Sequence, residues 1–166
     1  MLATNPPTVA ASFVSSARSY LTKTMQRGLT KQTLIFDKKE RHGRIEIVPT
    51  TKLNGLLEYT RSLYGAGMGF DGIELLTGVV RATSGLRWGP SDHLIDVFAI
   101  IDVDISQAIQ SCKEELANGY VRDIGIARTA LRKLRGALVD CRREVESWGG
   151  EFPFSRGCSN ADSLQF

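Results

Sequence analysis

HLIDVFAIIDVD, residues 93–104, is the stretch on which the fold turns. Leu94, Ile95, Val97, Phe98, Ile100 and Ile101 crowd it so densely that no solvent face is left. A short apolar run bounded by turn residues reads as a strand buried on both sides. RWGPSD, residues 87–92, supplies the turn before it. Asp104 then reads as a helix cap, with Gln107 in the capping-box position, and Asn118-Gly119 breaks the helix so begun. The expectation is a central strand over 94–103.

Upstream, QTLIFDKKERHGRIEIV (residues 32–48) reads as a hairpin. Thr33, Leu34, Ile35 and Phe36 favour a strand, Ile45, Ile47 and Val48 form the return, and DKKERHGR between them is the loop at the tip, with Gly43 as its turn residue and four cations in it. With the 94–103 strand this predicts an α+β fold: a small, mainly antiparallel sheet packed by helices. Pro49 ends the hairpin, and Thr50 or Thr51 caps a helix whose apolar face carries Leu53, Leu56, Leu57, Leu63 and Tyr64. A glycine-rich turn follows (Gly65, Gly67, Gly69, Gly72). Then comes a second helix, capped by Asp71 with Glu74 completing the box and ended by Ser84-Gly85.

Downstream, the apolar positions Ile124, Ala127, Leu131, Leu134, Leu138, Cys141, Val145 and Trp148 repeat at alternating intervals of three and four. That is a heptad seam on a long C-terminal helix. Arg128, Arg135 and Arg142 flank it at successive e positions, and Ala130 and Ala137 occupy g. The seam can pack on the chain's own core or on a second copy. Ile124, Leu131, Leu134, Leu138, Val145 and Trp148 are its candidate oligomer surface. The tail, 149–166, reads as loop, with Phe152, Phe154 and Phe166 free to dock on a neighbour. At the other end, residues 8–28 read as an amphipathic helix: Val9, Phe13, Ala17, Leu21 and Met25 recur every four residues. The expected organisation is a basic helical segment over 1–30, an α+β core over 31–148 and a tail over 149–166.

The chain has 166 residues, 42% of them hydrophobic and 23% charged, which suits one globular domain with a real core. Three scattered cysteines without a C-x-x-C pair imply a reducing, cytoplasmic setting. No apolar run reaches the roughly 18 residues needed to span a bilayer. The net charge of +3 is unevenly placed. Residues 1–44 carry eight Lys/Arg against two acids, and 45–166 carry thirteen against sixteen. The cations of the first third, Arg18, Lys23, Arg27, Lys31, Lys38, Lys39, Arg41 and Arg44, form a candidate site for phosphates or lipid headgroups. Few aromatics interleave with them, so base stacking on single strands is not indicated.

Other chemistry finds less support. GMGFDG, residues 67–72, matches the dinucleotide fingerprint G-x-G-x-x-G, but a helix precedes it where a buried strand is required. The glycines therefore read as a turn between helices. Asp102 and Asp104 make a D-x-D that could hold Mg²⁺ against a phosphate, though no third ligand stands nearby. His42 and His93 with scattered cysteines do not make a zinc set. Adjacent Ser91, Asp92 and His93 cannot aim at one another as a triad. No cofactor or metal is expected.

TLIFDKKERHGRIEIV, KLNGLLEYTRSLYGAG, FDGIELLTGVVRATSG and HLIDVFAIIDVD, in that order, resemble the core of rhabdovirus matrix proteins. The resemblance covers under half the chain and departs from the family pattern at two points: NPPT lacks the Tyr of a Pro-Pro-x-Tyr motif, and the C-terminal part is helical. It implies a small self-assembling protein that bridges nucleocapsid to membrane in a host cell or virion. The functional expectation is thus a non-catalytic, self-associating adaptor with a basic face for anionic lipid or nucleocapsid. The alternatives are an RNA-binding regulator such as a silencing suppressor and a small nucleotide-binding enzyme.

Overall fold

The computed structural model describes residues 35–166. They form an α+β unit: a two-stranded antiparallel hairpin, β1 (Phe36–Arg41) and β2 (Arg44–Pro49), followed by α1 (Thr51–Gly65), α2 (Gly69–Ala82), α3 (Leu94–Ala117), α4 (Ile124–Ser147) and α5 (Ser155–Ser163). The segment expected as a central strand is helix. From residue 94 to 117 there is no Gly or Pro. Leu94, Phe98, Ile101, Ile105, Ala108, Ile109 and Cys112 recur at helical spacing on one buried side. Read alone, 94–103 looks almost wholly apolar, broken only by Asp96 and Asp102; read together with the next fourteen residues it is the first half of one amphipathic helix. The hairpin is therefore the whole sheet among the described residues.

Two local readings shift with it. Asp104 lies inside α3, and the helix start is served by Asp92, whose Oδ1 accepts the Leu94 N–H at 3.0 Å. Asp71 lies in the first turn of α2, and Met68 is the N-cap residue. Thr50 precedes α1 as expected, but its hydroxyl donates to the Ile35 carbonyl at 3.2 Å and so closes the base of the hairpin.

α2 is the hub. It packs on α1, α3 and α4, and most of its residues, from Gly69 to Val80, are buried. Ala127, Leu131, Leu134, Leu138, Cys141 and Val145 of α4 are buried against it in the chain's own core. Of the two readings of the heptad seam, the structure carries the internal one. Leu131, Leu134, Leu138 and Val145 are no longer available as an oligomer surface, Trp148 is half-buried, and Ile124 alone of the named set is exposed.

The tail also differs from expectation. It contains α5, and Phe154, Cys158, Ala161 and Leu164 are buried. At roughly 1.5–3 kcal/mol for each large apolar side chain removed from water, this is part of the core rather than a loop. Gly157 lets α5 sit hard on α3, where a Cβ would come within 2.6 Å of Ile105 Cγ2. Each of the three arginines flanking the seam grips the tail. Arg142 stacks over Phe152, Arg135 donates to the carbonyls of Ala161, Asp162 and Leu164, and Arg128 lies over Phe166. Phe152, Phe154 and Phe166 thus dock on their own chain.

Candidate functional site

Arg18, Lys23, Arg27 and Lys31 lie outside the described residues. The other four named cations, Lys38, Lys39, Arg41 and Arg44, are exposed and sit on the strands β1 and β2 rather than in a tip loop, because pairing runs outward from Phe36 to a two-residue turn. Residues 37–46 are exposed without interruption, so the arm projects into solvent for about 17 Å of strand. Its base is anchored: Phe36 packs edge-on to Phe98 at 6.1 Å, and Ile47 packs on the core. Its tip is a two-residue turn with His42 at φ 53° and Gly43 at φ 73°. Two left-handed residues make the turn type whose twist matches that of the strands, which holds the finger in one shape.

The register distributes the charges. Cross-strand partners share a face, and alternate residues change face. Lys39 pairs with Glu46 and Arg41 with Arg44 on one side. Lys38 pairs with Ile47 and Glu40 with Ile45 on the other. Three cations therefore share a face. Asp37, Glu40 and Glu46 also ride on the arm, so its positive excess is a single charge. Among the described residues, Arg41 alone of the four cations meets an acid, Glu46, at 3.8 Å. Both side chains are more than half exposed, and such a pair contributes little.

The feature that charge counting overlooks is Ile45. It is 73% exposed, the highest among the exposed large hydrophobics, and it follows Arg44 directly at the tip. Period-two alternation in RIEIV puts Ile45 and Ile47 on one face, and that signal is legible in the sequence. The arm's length then decides that Ile47 reaches the core while Ile45 overshoots it.

The residues named for other chemistry are engaged in holding helices together. Asp104 is 3% exposed and receives Arg61 through both oxygens, Nε to Oδ1 at 2.9 Å and Nη2 to Oδ2 at 2.7 Å. The Tyr64 hydroxyl donates to Asp104 Oδ1 at 3.0 Å. Burial, and then this bond, push the Tyr64 hydroxyl up to about 12. Asp102 Oδ1 accepts the Gly157 N–H at 2.7 Å and so ties α5 to α3. The D-x-D pair is split between two structural bonds. In the glycine turn, Gly67 has φ +75°, and Gly69 lies against the α3 backbone. At the start of α2, where a phosphate would sit in a dinucleotide site, the buried Glu115 carboxylate accepts the Phe70 N–H at 3.4 Å. His93 Nδ1 is 3.6 Å from Asp96 on an exposed edge. Burial pushes the Cys112, Cys141 and Cys158 thiols up, away from the reactive thiolate. Among the described residues no group of three or more His, Cys, Asp or Glu is placed to hold a metal ion, and no helix is long and apolar enough to cross a membrane.

No family model, curated protein or solved structure matches this chain.

Proposed function

We propose that this chain is a non-catalytic, self-associating adaptor that docks peripherally on anionic membranes through its β1–β2 hairpin. The observation that carries the reading is the projecting tip: Lys39, Arg41 and Arg44 exposed on one face, Lys38 and an exposed Ile45 on the other, on a turn of fixed shape. Lysine and arginine meet lipid headgroups while a neighbouring aliphatic side chain enters the boundary with the acyl chains. Ile45 favours a bilayer over nucleic acid. It offers neither a hydrogen bond to a base edge nor a ring to stack on one.

Magnitude explains why self-association belongs to the reading. A cation at an anionic bilayer contributes about 1 kcal/mol, and the three acids on the arm subtract from four such contributions. One copy would bind weakly, and several copies held together would bind firmly through effective concentration. The matrix-like reading keeps the order of hairpin followed by helices and loses its strand at 94–103.

Vesicle flotation tests the proposal. The chain should float with phosphatidylcholine vesicles containing phosphatidylserine, not with phosphatidylcholine alone, and high salt should release it. Reversing Lys38, Lys39, Arg41 and Arg44 to Glu should abolish flotation while the circular dichroism stays unchanged. Equal flotation of this variant, or a salt-sensitive shift of short duplex RNA without vesicle binding, would transfer the site to another partner.

A further inference from the structure

Most of the α4 seam, one of whose two readings is an oligomer surface, is buried in the chain's own core, so self-association needs another surface. The C-terminal segment has the features of one. The contacts that seat it are made to α3 and α4 and within the segment itself, apart from Phe166, which also packs on Phe70 of α2 with ring centroids 5.7 Å apart. Gly157 N–H bonds Asp102, Phe154 lies 5.7 Å from Phe98, Arg135 grips three carbonyls and Arg142 covers Phe152. Its covalent join to α4 is Gly149-Gly150. Gly149 has φ +78°, and a Cβ on Gly150 would stand 2.8 Å from Trp148 Cζ2. Gly149, in the left-handed region, ends α4 and turns the chain back towards α3, with Gly149 and Gly150 N–H bonding the Glu146 and Val145 carbonyls.

We propose that copies of this chain associate by reciprocal exchange of residues 151–166, the strap of one copy seating in the α3–α4 groove of another. The inference rests on the self-association in the function proposed above. The occupant of the groove is not in doubt chemically, because the same segment already fills it within one chain. Each hydrogen bond re-forms between copies with the same atoms, so those bonds cancel between closed monomer and exchanged dimer. The balance is left to the hinge and to the entropy of association. The closed form needs a left-handed residue at 149, whereas the open form lets α4 run on without that turn.

Lys113 Nζ on α3 and Ser163 Oγ on α5 are 3.3 Å apart at the surface, and they make the test direct. Full-length chains carrying either Lys113→Cys or Ser163→Cys, with tags of different mass, are mixed and treated with a short bis-maleimide. A linked pair of unlike chains, above the background of each variant alone, reports a strap seated on a second copy. Cys112, Cys141 and Cys158 are buried and should react slowly. Gly149→Ala strains only the closed turn, and exchange relieves it in both copies, so it should tighten the dimer about thirtyfold in light scattering and raise the linked pair in step. A dimer that yields no unlike pair overturns the exchange and leaves self-association standing. A chain that stays monomeric at every concentration, with Gly149→Ala included, overturns both.

Discussion

Gly69 sits where no other residue fits. A Cβ there would fall 2.7 Å from the Ser111 carbonyl carbon and 2.8 Å from the Ala108 oxygen, and backbone cannot move aside as a side-chain tip can. Gly69→Ala should therefore cost about 3 kcal/mol in chemical denaturation, within the range for overpacking. Gly67 makes a sharp contrast. Its φ is +75° but its surroundings are open, so Gly67→Ala should cost only about 1 kcal/mol of backbone strain. Equal costs at the two positions would contradict this division of labour. The Tyr64–Asp104–Arg61 cluster makes a prediction with pH. The Tyr64 value is raised on folding, so its contribution is complete below the ordinary tyrosine value of about 10 and is lost as pH climbs towards about 12. The urea midpoint should fall across that window, and Tyr64→Phe should remove the part of the fall due to this residue. Asp104→Asn should cost about 2 kcal/mol. That is less than a fully buried pair would lose, because the Arg61 side chain is 42% exposed.

Among the elements, α4 shows how a pattern can be read correctly while its partner stays open. Its alternating three–four spacing is present in the sequence, as are the arginines at 128, 135 and 142. What the spacing does not say is whether the complementary surface belongs to another copy. Leu131 and Leu138 are 1% and 0% exposed, so changing both to Asp should unfold the chain, with loss of helical circular dichroism at neutral pH. Intact helicity with altered oligomer mass would instead return the seam to an interface. Arg135→Ala should free α5 at a cost of about 2 kcal/mol, seen as earlier hydrogen exchange over 155–164 while α2 stays protected. α3, by contrast, was misread. In a ten-residue stretch with eight apolar positions, no period separates a buried strand from the inner end of a buried helix. The helix becomes visible only when Ile105, Ala108, Ile109 and Cys112 are counted with Leu94, Phe98 and Ile101.

For the whole molecule, the helical body and the hairpin should be separable in their effects. Ile45→Ser changes no core contact, so it should leave the thermal midpoint within about 1 °C and still weaken vesicle binding, most visibly at intermediate salt, where screening leaves charge alone too weak to hold the chain. A loss of binding that tracks a loss of stability would mean that the arm acts by supporting the fold. By itself the sequence determined the hairpin and its glycine turn, α1, α2 and the long α4, and the cationic character of residues 38–44. It did so because these features rest on local spacing, turn chemistry and charge, which a linear chain displays. The helix over 94–117 was legible in the sequence once its full length was counted. Only the tertiary structure decided that the α4 seam faces α2, that Asp102 and Asp104 are bound to separate partners, and that the tail closes over α3 and α4. Those outcomes depend on which surfaces meet across intervals of forty to sixty residues, and a burial pattern names a face to be covered without naming what covers it.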